Sequence, residues 1–159
     1  MTDDQMELLN IYRSTPTALR ALLRKVPDTT ARSTGEGEDA WSIVEIVCHL
    51  RDAEARVLER LQLMRDQDNP FLTAYDQAAV AEDSGYRTQS LDEALAAFMQ
   101  LRQEQISILE AFDEAQWART GMHEEAGQIT IQGQTMHIAA HDVVHLAQIG
   151  RRILESDGA

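Results

Sequence analysis

A cluster of histidines near the end of the chain is the sequence feature with the clearest chemical potential. The segment HIAAHDVVHLAQI, residues 137–149, holds His137, His141 and His145, three of the five histidines of the chain. Residues four apart lie on nearly the same face of an α-helix, so His141 and His145 can offer two imidazoles to one metal ion. Zinc takes further ligands beyond such a pair. His49, which lies among apolar residues of an earlier helical segment, is the candidate for the third ligand.

The same histidines also allow a purely structural interpretation. A helical pair of histidines can arise by chance, and a histidine on an apolar helix face is commonly a hydrogen-bonded core residue. The spacing of His49, His141 and His145 therefore leaves metal binding and packing as open alternatives. The HDVVH segment differs from the H-E-x-x-H motif of zinc proteases, because Asp142 replaces the glutamate that acts as general base. The sequence therefore argues against a protease.

Three further residues each lie one helical turn from a histidine of this set and are candidates for supporting it: His137, Glu45 and Gln148. His137 is either a contact to the site or its substrate, or a partly exposed residue at the start of its helix. Glu45 could orient the imidazole of His49, as carboxylates do for metal-bound histidines, although a solvent-facing position is the simpler interpretation. Gln148 is a candidate of the same kind. Cys48 points about 100° away from its neighbour His49 and is expected to be a buried, inert thiol.

Four helical segments must position these side chains. Apolar residues recur at helical spacing in each of them, which predicts four long helices. The segments are residues 3–26, 41–65, 90–112 and 135–155. Pro16 lies in the middle of the first and is expected either to kink that helix or to begin its second half, with Ser14 or Thr15 as the cap. Ser42 and Glu45 match the capping-box pattern at the start of the second helix.

The connections between these helices are long and variable. Residues 66–89 contain a predicted helical turn around Asp76 to Ala81, and a connection of this length is expected to be functional or to pack over a site. Residues 128–131, with the sequence QITI, are the one segment with an extended pattern. Four long helices joined in this way predict an all-α protein, an antiparallel four-helix bundle. We expect a single domain that covers residues 1–159.

The composition excludes several classes of function. The chain has 27 acidic and 14 basic residues and a net charge of −13, which argues against binding to nucleic acid. No apolar run approaches the ~20 residues needed to cross a bilayer, and the acidic start lacks the apolar core of a signal peptide. The single cysteine is compatible with a reducing compartment. We therefore expect a cytoplasmic protein that binds a small-molecule substrate and neither nucleic acid nor a membrane.

Two motifs of the chain resemble the DinB-like family, also called the DinB/YfiT-like metalloenzymes. WSIVEIVCHLRDAE, residues 41–54, is similar to the second-helix motif of that family, and HDVVHLAQI, residues 141–149, is similar to its fourth-helix motif H-x-x-x-H-x-x-Q-I. TPTALRALL and SLDEALAAF extend the resemblance across nearly the whole chain. The resemblance implies a DinB/YfiT-like four-helix bundle in a 1-2-4-3 arrangement, often a homodimer. It also implies a divalent metal, zinc or nickel, held by His49, His141 and His145.

The resemblance further implies an enzyme that uses a low-molecular-weight thiol, because related members are the mycothiol-dependent maleylpyruvate isomerase and the bacillithiol S-transferases. Three neutral histidines leave a metal ion its full charge and an open position, where it can bind a thiolate or lower the pKa of a bound water. We therefore expect a metal-dependent, thiol-dependent S-transferase. The alternatives are a metal-dependent hydrolase and a non-catalytic metal-binding stress protein.

Pocket composition is expected to separate these alternatives. A transferase needs a basic pocket for an anionic thiol, and the arginines near the relevant helices are Arg51, Arg56, Arg151 and Arg152. A hydrolase needs a positioned carboxylate base, and the sequence secures none. Tyr75 and Tyr86, in the long second connection, could line such a pocket, although packing is the expected role for both.

Overall fold

Four long helices form the body of the protein, as the periodicity predicts. The computed structural model describes residues 1–35, 40–74, 80–81 and 83–157, and for residue 157 it describes the backbone only. The helices of these residues are α1 (Asp3–Leu23), α2 (Asp28–Arg32), α3 (Ile43–Asp66), α4 (Leu91–Glu110), α5 (Glu114–Trp117) and α6 (Ile131–Asp157), with a 3-10 turn at Tyr86–Thr88. The strands are β1 (Phe71–Leu72), β2 (Thr120–His123) and β3 (Gly127–Thr130). Within the described part of the chain, every helix is too short or too polar to cross a membrane.

The capping box predicted at the start of the second long helix, α3, is confirmed. Ser42 Oγ accepts a hydrogen bond from the backbone N–H of Glu45 at 3.3 Å, and Glu45 Oε2 accepts one from the backbone N–H of Ser42 at 2.9 Å. Thr2 and Gln5 form an equivalent box at the start of α1. These side chains satisfy N–H groups that have no partner within the helix, so each helix has a defined first residue.

A single helix, α1, passes through Pro16, so the prediction of a second half that begins there is wrong. Ser14 and Thr15 do not act as caps, because their hydroxyls donate to the preceding turn of α1 and to α6. Proline lacks the N–H that would bond the carbonyl four residues earlier, here the carbonyl of Tyr12. Arg102 Nη1 donates to that carbonyl at 3.1 Å. Tertiary structure thus supplies the hydrogen bond that Pro16 removes.

The four long helices follow the order α1, α4, α3, α6 around the bundle. α1 packs against α4 and α6, and α3 packs against the same two helices, so α1 and α3 lie diagonally opposite each other. If the four long helices are numbered by their position along the chain, their order around the bundle is 1-3-2-4. The 1-2-4-3 order implied by the family resemblance is therefore wrong for this chain. The connections after α1 and α4 cross the bundle diagonally instead of joining neighbours.

The long helices run as two parallel pairs. Gln5 Nε2 donates to Gln132 Oε1 at 3.2 Å near the start of α1 and of α6, and Thr15 Oγ1 donates to Asp142 Oδ2 at 2.8 Å further along both. α3 is parallel to α4, because their first halves pack in one apolar cluster and their second halves in another. Arg152, near the end of α6, donates to the carbonyl just before α3, so the pairs are antiparallel to each other. The predicted antiparallel arrangement holds only between the pairs.

The parallel direction of α3 and α4 explains the length of the connection between them. α3 has 24 residues and is about 36 Å long, and the chain must return along this length before α4 begins. At the far end of this path, Tyr86 Oη donates to Asp52 Oδ2 at 2.6 Å. The helical turn predicted at Asp76–Ala81 lies largely outside the described residues. Only Val80 and Ala81 of it are described, and both are helical.

A small three-stranded sheet accompanies the four-helix bundle. β2 and β3 form an antiparallel hairpin, and β1 pairs in parallel with β2. The extended pattern of residues 128–131 coincides with β3 for three residues, but Ile131 already begins α6. The fourth long helix therefore starts at Ile131 and not at Thr135. Gly127 lies in the hairpin with a φ of 71°, a left-handed conformation that glycine adopts without strain.

Two apolar clusters fill the bundle, and polar side chains lie between them. Leu9 and Trp117 are fully buried in the cluster at one end, and Leu19 and Phe98 are fully buried in the cluster at the other. The buried polar residues between the clusters are called the central polar network below. Its members are Tyr12, Thr15, Glu54, Arg102, Gln105 and Asp142.

Arg102 is the centre of this network. Its guanidinium donates to both carboxylate oxygens of Glu54 at 2.6 and 2.7 Å, and to those of Asp142 at 2.8 and 3.2 Å. Burial raises the pKa of Glu54, against the lowering effect of the hydrogen bonds from Arg102. Each of the four long helices contributes at least one member of the network. A buried ion pair is stable only when its groups are fully hydrogen-bonded, so the network fixes how the four helices fit together.

Candidate metal centre

Three histidines from two helices converge in the middle of the bundle. His49 projects from α3 and is 1% exposed, and His141 and His145 lie on successive turns of α6. His141 Nε2 lies 2.9 Å from His49 Nε2 and 3.1 Å from His145 Nε2. Each of the three offers one nitrogen to a group whose members lie within 4.8 Å of one another. The antiparallel contact of α3 with α6 therefore assembles the set that spacing alone left open.

The distances and the tautomers of these histidines fit a metal ion. Nitrogen ligands at about 2.0–2.1 Å from a tetrahedral zinc ion are about 3.3 Å apart, close to the separations observed. Gln148 Oε1 lies 2.8 Å from His145 Nδ1, so that nitrogen donates its proton to the amide oxygen. His145 Nε2 then carries the lone pair that a metal ion needs, so the bond to Gln148 holds His145 in its metal-binding tautomer.

The electrostatic environment keeps His49 and His141 neutral. Burial, followed by the neighbouring His145 and His141, lowers the pKa of His49 from 6.5 to about 3. Burial, followed by His145, lowers the pKa of His141 to about 4. Neutral imidazole is the form that binds a metal, so near pH 7 no proton has to leave His49 or His141 before an ion enters.

Packing and hydrogen bonding share the task of orienting the three rings. The Trp41 ring packs against His49 with a centroid distance of 5.1 Å. The Nδ1 atoms of His49 and His141 are buried and have no hydrogen-bond partner among the described residues. Gln148 accepts from His145 Nδ1, so its amide holds the imidazole of His145. His49 is instead oriented by the rings around it.

Glu45 does not orient His49. Its carboxylate accepts two hydrogen bonds from Ser42 and one from Arg87, at 2.8 to 2.9 Å. Glu45 is also 6% exposed, so the solvent-facing interpretation is wrong as well. The capping-box geometry accounts for both results, because it turns the carboxylate back toward the start of α3.

Asp142 takes no part in the three-histidine group, although it adjoins His141. It is 1% exposed, and its carboxylate accepts hydrogen bonds from Arg102 and Thr15 in the central polar network. A carboxylate held in this way is not available as a base beside the histidines. The geometry therefore agrees with the argument against a protease.

A cavity of about 200 Å³ opens beside His49 and His141. His137 is exposed and lines this cavity, so it lies at the mouth of the site and not among the three converging histidines. An adjoining cavity of about 690 Å³ runs along the hairpin and the start of α6 and shares His137 with the first. Arg56 also lines the smaller cavity. A small molecule can thus approach the histidines from this side.

Three further cavity residues were not found by sequence analysis: Arg60, His123 and Glu125. His123 and Glu125 belong to the hairpin, whose position against α3 and α6 depends on strand pairing that no sequence spacing records. Arg60 lies one helical turn after Arg56, so a pair of arginines on one helix face was the available signal.

The other residues predicted for a pocket lie elsewhere. Among the arginines, Arg51 pairs with Asp52 at 2.7 Å, Arg152 bonds the carbonyl before α3, and Arg151 is exposed. Tyr86 is buried and packs edge-on against another ring, which agrees with the packing role. Tyr75 lies outside the described residues. Cys48 is fully buried and burial raises the pKa of its thiol, as expected for an unreactive cysteine.

Comparison with known proteins places this geometry in a family. The family model described as the DinB superfamily matches residues 11–149. A candidate metal-dependent hydrolase of Oceanobacillus iheyensis is 30% identical over 122 residues, which are 77% of this chain and 67% of that protein. YfiT of Bacillus subtilis, also named as a candidate metal-dependent hydrolase, is 20% identical over 149 residues, which are 91% of this chain and 83% of YfiT.

Solved structures show the same fold. The structure of Bacillus subtilis YfiT, described as having an unusual four-helix bundle topology, matches with a TM-score of 0.89 and 19% identity over 99% of this chain and 90% of that one. The mycothiol-dependent maleylpyruvate isomerase matches with a TM-score of 0.73 and 13% identity over 92% of this chain and 60% of that one. At these identities the likeness establishes the four-helix bundle, which confirms the predicted fold class.

Proposed function

The chain belongs to the DinB superfamily, and we propose that it is a metal-dependent enzyme whose three histidines bind one divalent ion, zinc or nickel. The convergence of the Nε2 atoms of His49, His141 and His145 beside a cavity carries this proposal. Three neutral ligands leave a divalent ion with its full charge and with room for one more ligand, which is typical of catalytic zinc sites. The candidate hydrolases among the relatives are named for the same dependence on metal.

For the reaction, we propose transfer of a low-molecular-weight thiol to an electrophile. When bound, a divalent ion would supply the positive charge that favours a thiolate over a thiol. The protein supplies two cations to the cavity wall: Arg56, which also pairs with Glu59 at 2.6 Å, and Arg60, in a chain whose net charge is −13. A concentration of cations at one cavity of an acidic protein favours an anionic ligand, such as a thiol that carries carboxylates. The thiol-dependent enzyme among the structural neighbours has the same fold.

A metal-dependent hydrolase is the second candidate, and one residue favours it. Glu125 lines the same cavity and is the carboxylate that could act as a general base there. Glu125 is exposed at the hairpin turn. Two arginines against one exposed carboxylate at the cavity wall make the anionic-thiol proposal the stronger one.

The ligand assignment is tested by metal analysis of matched histidine variants. We expect about one divalent ion per chain in the purified protein and loss of tight binding in His145→Ala. His137→Ala is the matched control, since His137 lies on the same helix but outside the converging group, and it should keep its metal. Full metal occupancy in His145→Ala would remove His145 from the site.

The reaction is tested with cobalt-substituted protein. If a thiol binds the ion, addition of a carboxylate-bearing thiol changes the visible spectrum of bound cobalt. An unchanged spectrum, together with ester hydrolysis that is lost in Glu125→Gln, would replace the transferase by the hydrolase. Hydrolysis that survives in Glu125→Gln would exclude Glu125 as the base.

We further propose that the chain forms a homodimer through the outer face of α6. Large apolar side chains are exposed along this helix at 57–73% of their surface: Met136, Val143, Val144 and Leu154. Exposed apolar residues on one side of a helix are typical of a surface that is covered by a partner. Light scattering should give a dimer for the wild type and a monomer for Val143→Lys combined with Val144→Lys. A monomeric wild type at all concentrations would exclude the homodimer.

A further inference from the structure

His123 is held by the hairpin in one tautomer. It is the last residue of β2, and its Nδ1 accepts hydrogen bonds from the backbone N–H groups of Glu125 and Ala126, both at 3.2 Å. A nitrogen that accepts from two N–H groups carries no proton, so the proton of the neutral imidazole must lie on Nε2. The tight turn of the hairpin thus makes His123 a hydrogen-bond donor at its outer edge.

The same surroundings oppose a positive charge on His123. Partial burial, followed by the charge of Arg60, lowers the pKa of His123. A proton on Nδ1 would also face two backbone N–H groups that already point at this atom. His123 therefore remains a neutral donor near pH 7 and does not become a second cation beside Arg60.

The donor edge of His123 belongs to the cavity of the three-histidine group. His123 lines the cavity next to His49 and His141, and it also lines the adjoining larger cavity. Its Nδ1 edge is taken up by the hairpin backbone, so the opposite edge is the one left to face the cavity. Among the residues that the structure describes, Nε2 has no hydrogen-bond partner. A directed donor next to the positive charge of Arg60 suits an anionic oxygen.

We propose that His123 is a substrate-binding residue whose Nε2–H donates to a carboxylate oxygen of the ligand that occupies the cavity. This inference rests on the proposed function for the identity of the site. The hydrogen bond itself does not require the metal ion, so it can be measured with and without metal. The ligand class that follows is a small molecule that carries a carboxylate near its reacting group.

Two substitutions separate the donor from the structural role of the ring. In His123→Asn, the amide oxygen can replace Nδ1 as acceptor for the hairpin N–H groups, but no donor reaches the position of Nε2. In His123→Gln, the longer amide can place an N–H near the Nε2 position but does not reproduce the turn. A purely structural His123 would make the asparagine variant the milder one in every assay.

Succinate is the probe, and the readout is the side-chain nitrogen spectrum of His123 in metal-free and zinc-loaded protein. We expect the Nε2–H tautomer, a shift of its signal on titration with succinate, and binding at least about tenfold weaker in His123→Asn, which is typical of a lost bond to a charged group. His123→Gln should bind more tightly than His123→Asn, although its hairpin is less stable.

The opposite results would overturn the proposal. These are an Nδ1–H tautomer, no succinate binding by the wild type, or equal binding by the wild type and His123→Asn. If the three histidines held no metal, the proposed function would fail while succinate binding at His123 persisted. The metal content of each sample therefore distinguishes the two failures.

Discussion

We expect Arg102→Met to destabilise the protein strongly. The Arg102 guanidinium is fully buried and donates to the carboxylates of Glu54 and Asp142 and to the carbonyl of Tyr12. Methionine is apolar, flexible and unbranched, so the substitution removes the charge while it fills the space of the arginine stem. Two carboxylates then remain in the interior without their cation.

The size of the effect follows from the contacts that are lost. Removing one partner of a buried ion pair costs about 3–5 kcal/mol, because the remaining charge is left uncompensated. The carbonyl that Pro16 leaves without its usual partner also loses the bond from Arg102, which adds about 1–3 kcal/mol. Burial raises the pKa of Glu54, so protonation of this carboxyl group relieves part of the loss. We therefore expect about 4 kcal/mol, a large share of the ~5–15 kcal/mol typical of a domain.

Urea unfolding followed by circular dichroism measures this loss, and the urea midpoint should fall by about 2 M. The matched control is Arg13→Met, because Arg13 forms a solvent-exposed ion pair with Glu110 that contributes about 0–1 kcal/mol. Arg102→Met combined with Glu54→Gln and Asp142→Asn should recover part of the stability, since it leaves no buried charge. If Arg102→Met costs no more than Arg13→Met, the central polar network does not hold the helices together.

Three further predictions concern single contacts. Gln148→Leu should weaken metal binding about 10–100-fold in a chelator competition, because His145 loses the bond that fixes its tautomer; unchanged affinity would contradict this role. Burial alone would raise the pKa of Glu45, but hydrogen bonds from Ser42 and Arg87 lower it below 4.5 overall. Glu45→Gln should therefore be less stable than the wild type above pH 4.5, and urea titrations should show this difference disappearing as the pH falls through the lowered pKa; a difference independent of pH would exclude the carboxylate as its cause. Gly127→Ala should lower the free energy of unfolding by about 1–2 kcal/mol in the same assay, because a residue with a Cβ is strained at a φ of 71°. An unchanged free energy of unfolding would show that the hairpin does not require this conformation.

The sequence predicted the four long helices and the pairing of His141 with His145 on one helix face, because both depend on local spacing. Helical periodicity located α3, and the Ser42–Glu45 box fixed its first residue. His141 and His145 share a helix face in any α-helix, and the family resemblance supplied His49 as their partner. The structure contains these features because its tertiary contacts are consistent with the local sequence pattern.

The remaining site residues and the helix order depend on long-range contacts that local spacing does not record. His123 reaches the cavity because β2 pairs with β1 and β3, and a two-residue β1 has no sequence pattern of its own. Pro16 predicted a break in α1, and the structure has none because Arg102, a distant residue in the chain, bonds the Tyr12 carbonyl. The parallel direction of α3 and α4 could be inferred only from the connection that has to return along the bundle.

The central polar network and the three histidines act as one unit, because the two are neighbours on the same helices. Asp142 follows His141 directly on α6, and Glu54 lies on α3 shortly after His49, so Arg102 joins the two helices that carry all three histidines. α4 provides none of these histidines, yet its arginine fixes the position of α3 against α6. Because buried charges require their partners at hydrogen-bond distance, this contact has little freedom to slide. The central polar network, which lies outside the three-histidine group, thus helps to fix the distances near 3 Å between the Nε2 atoms.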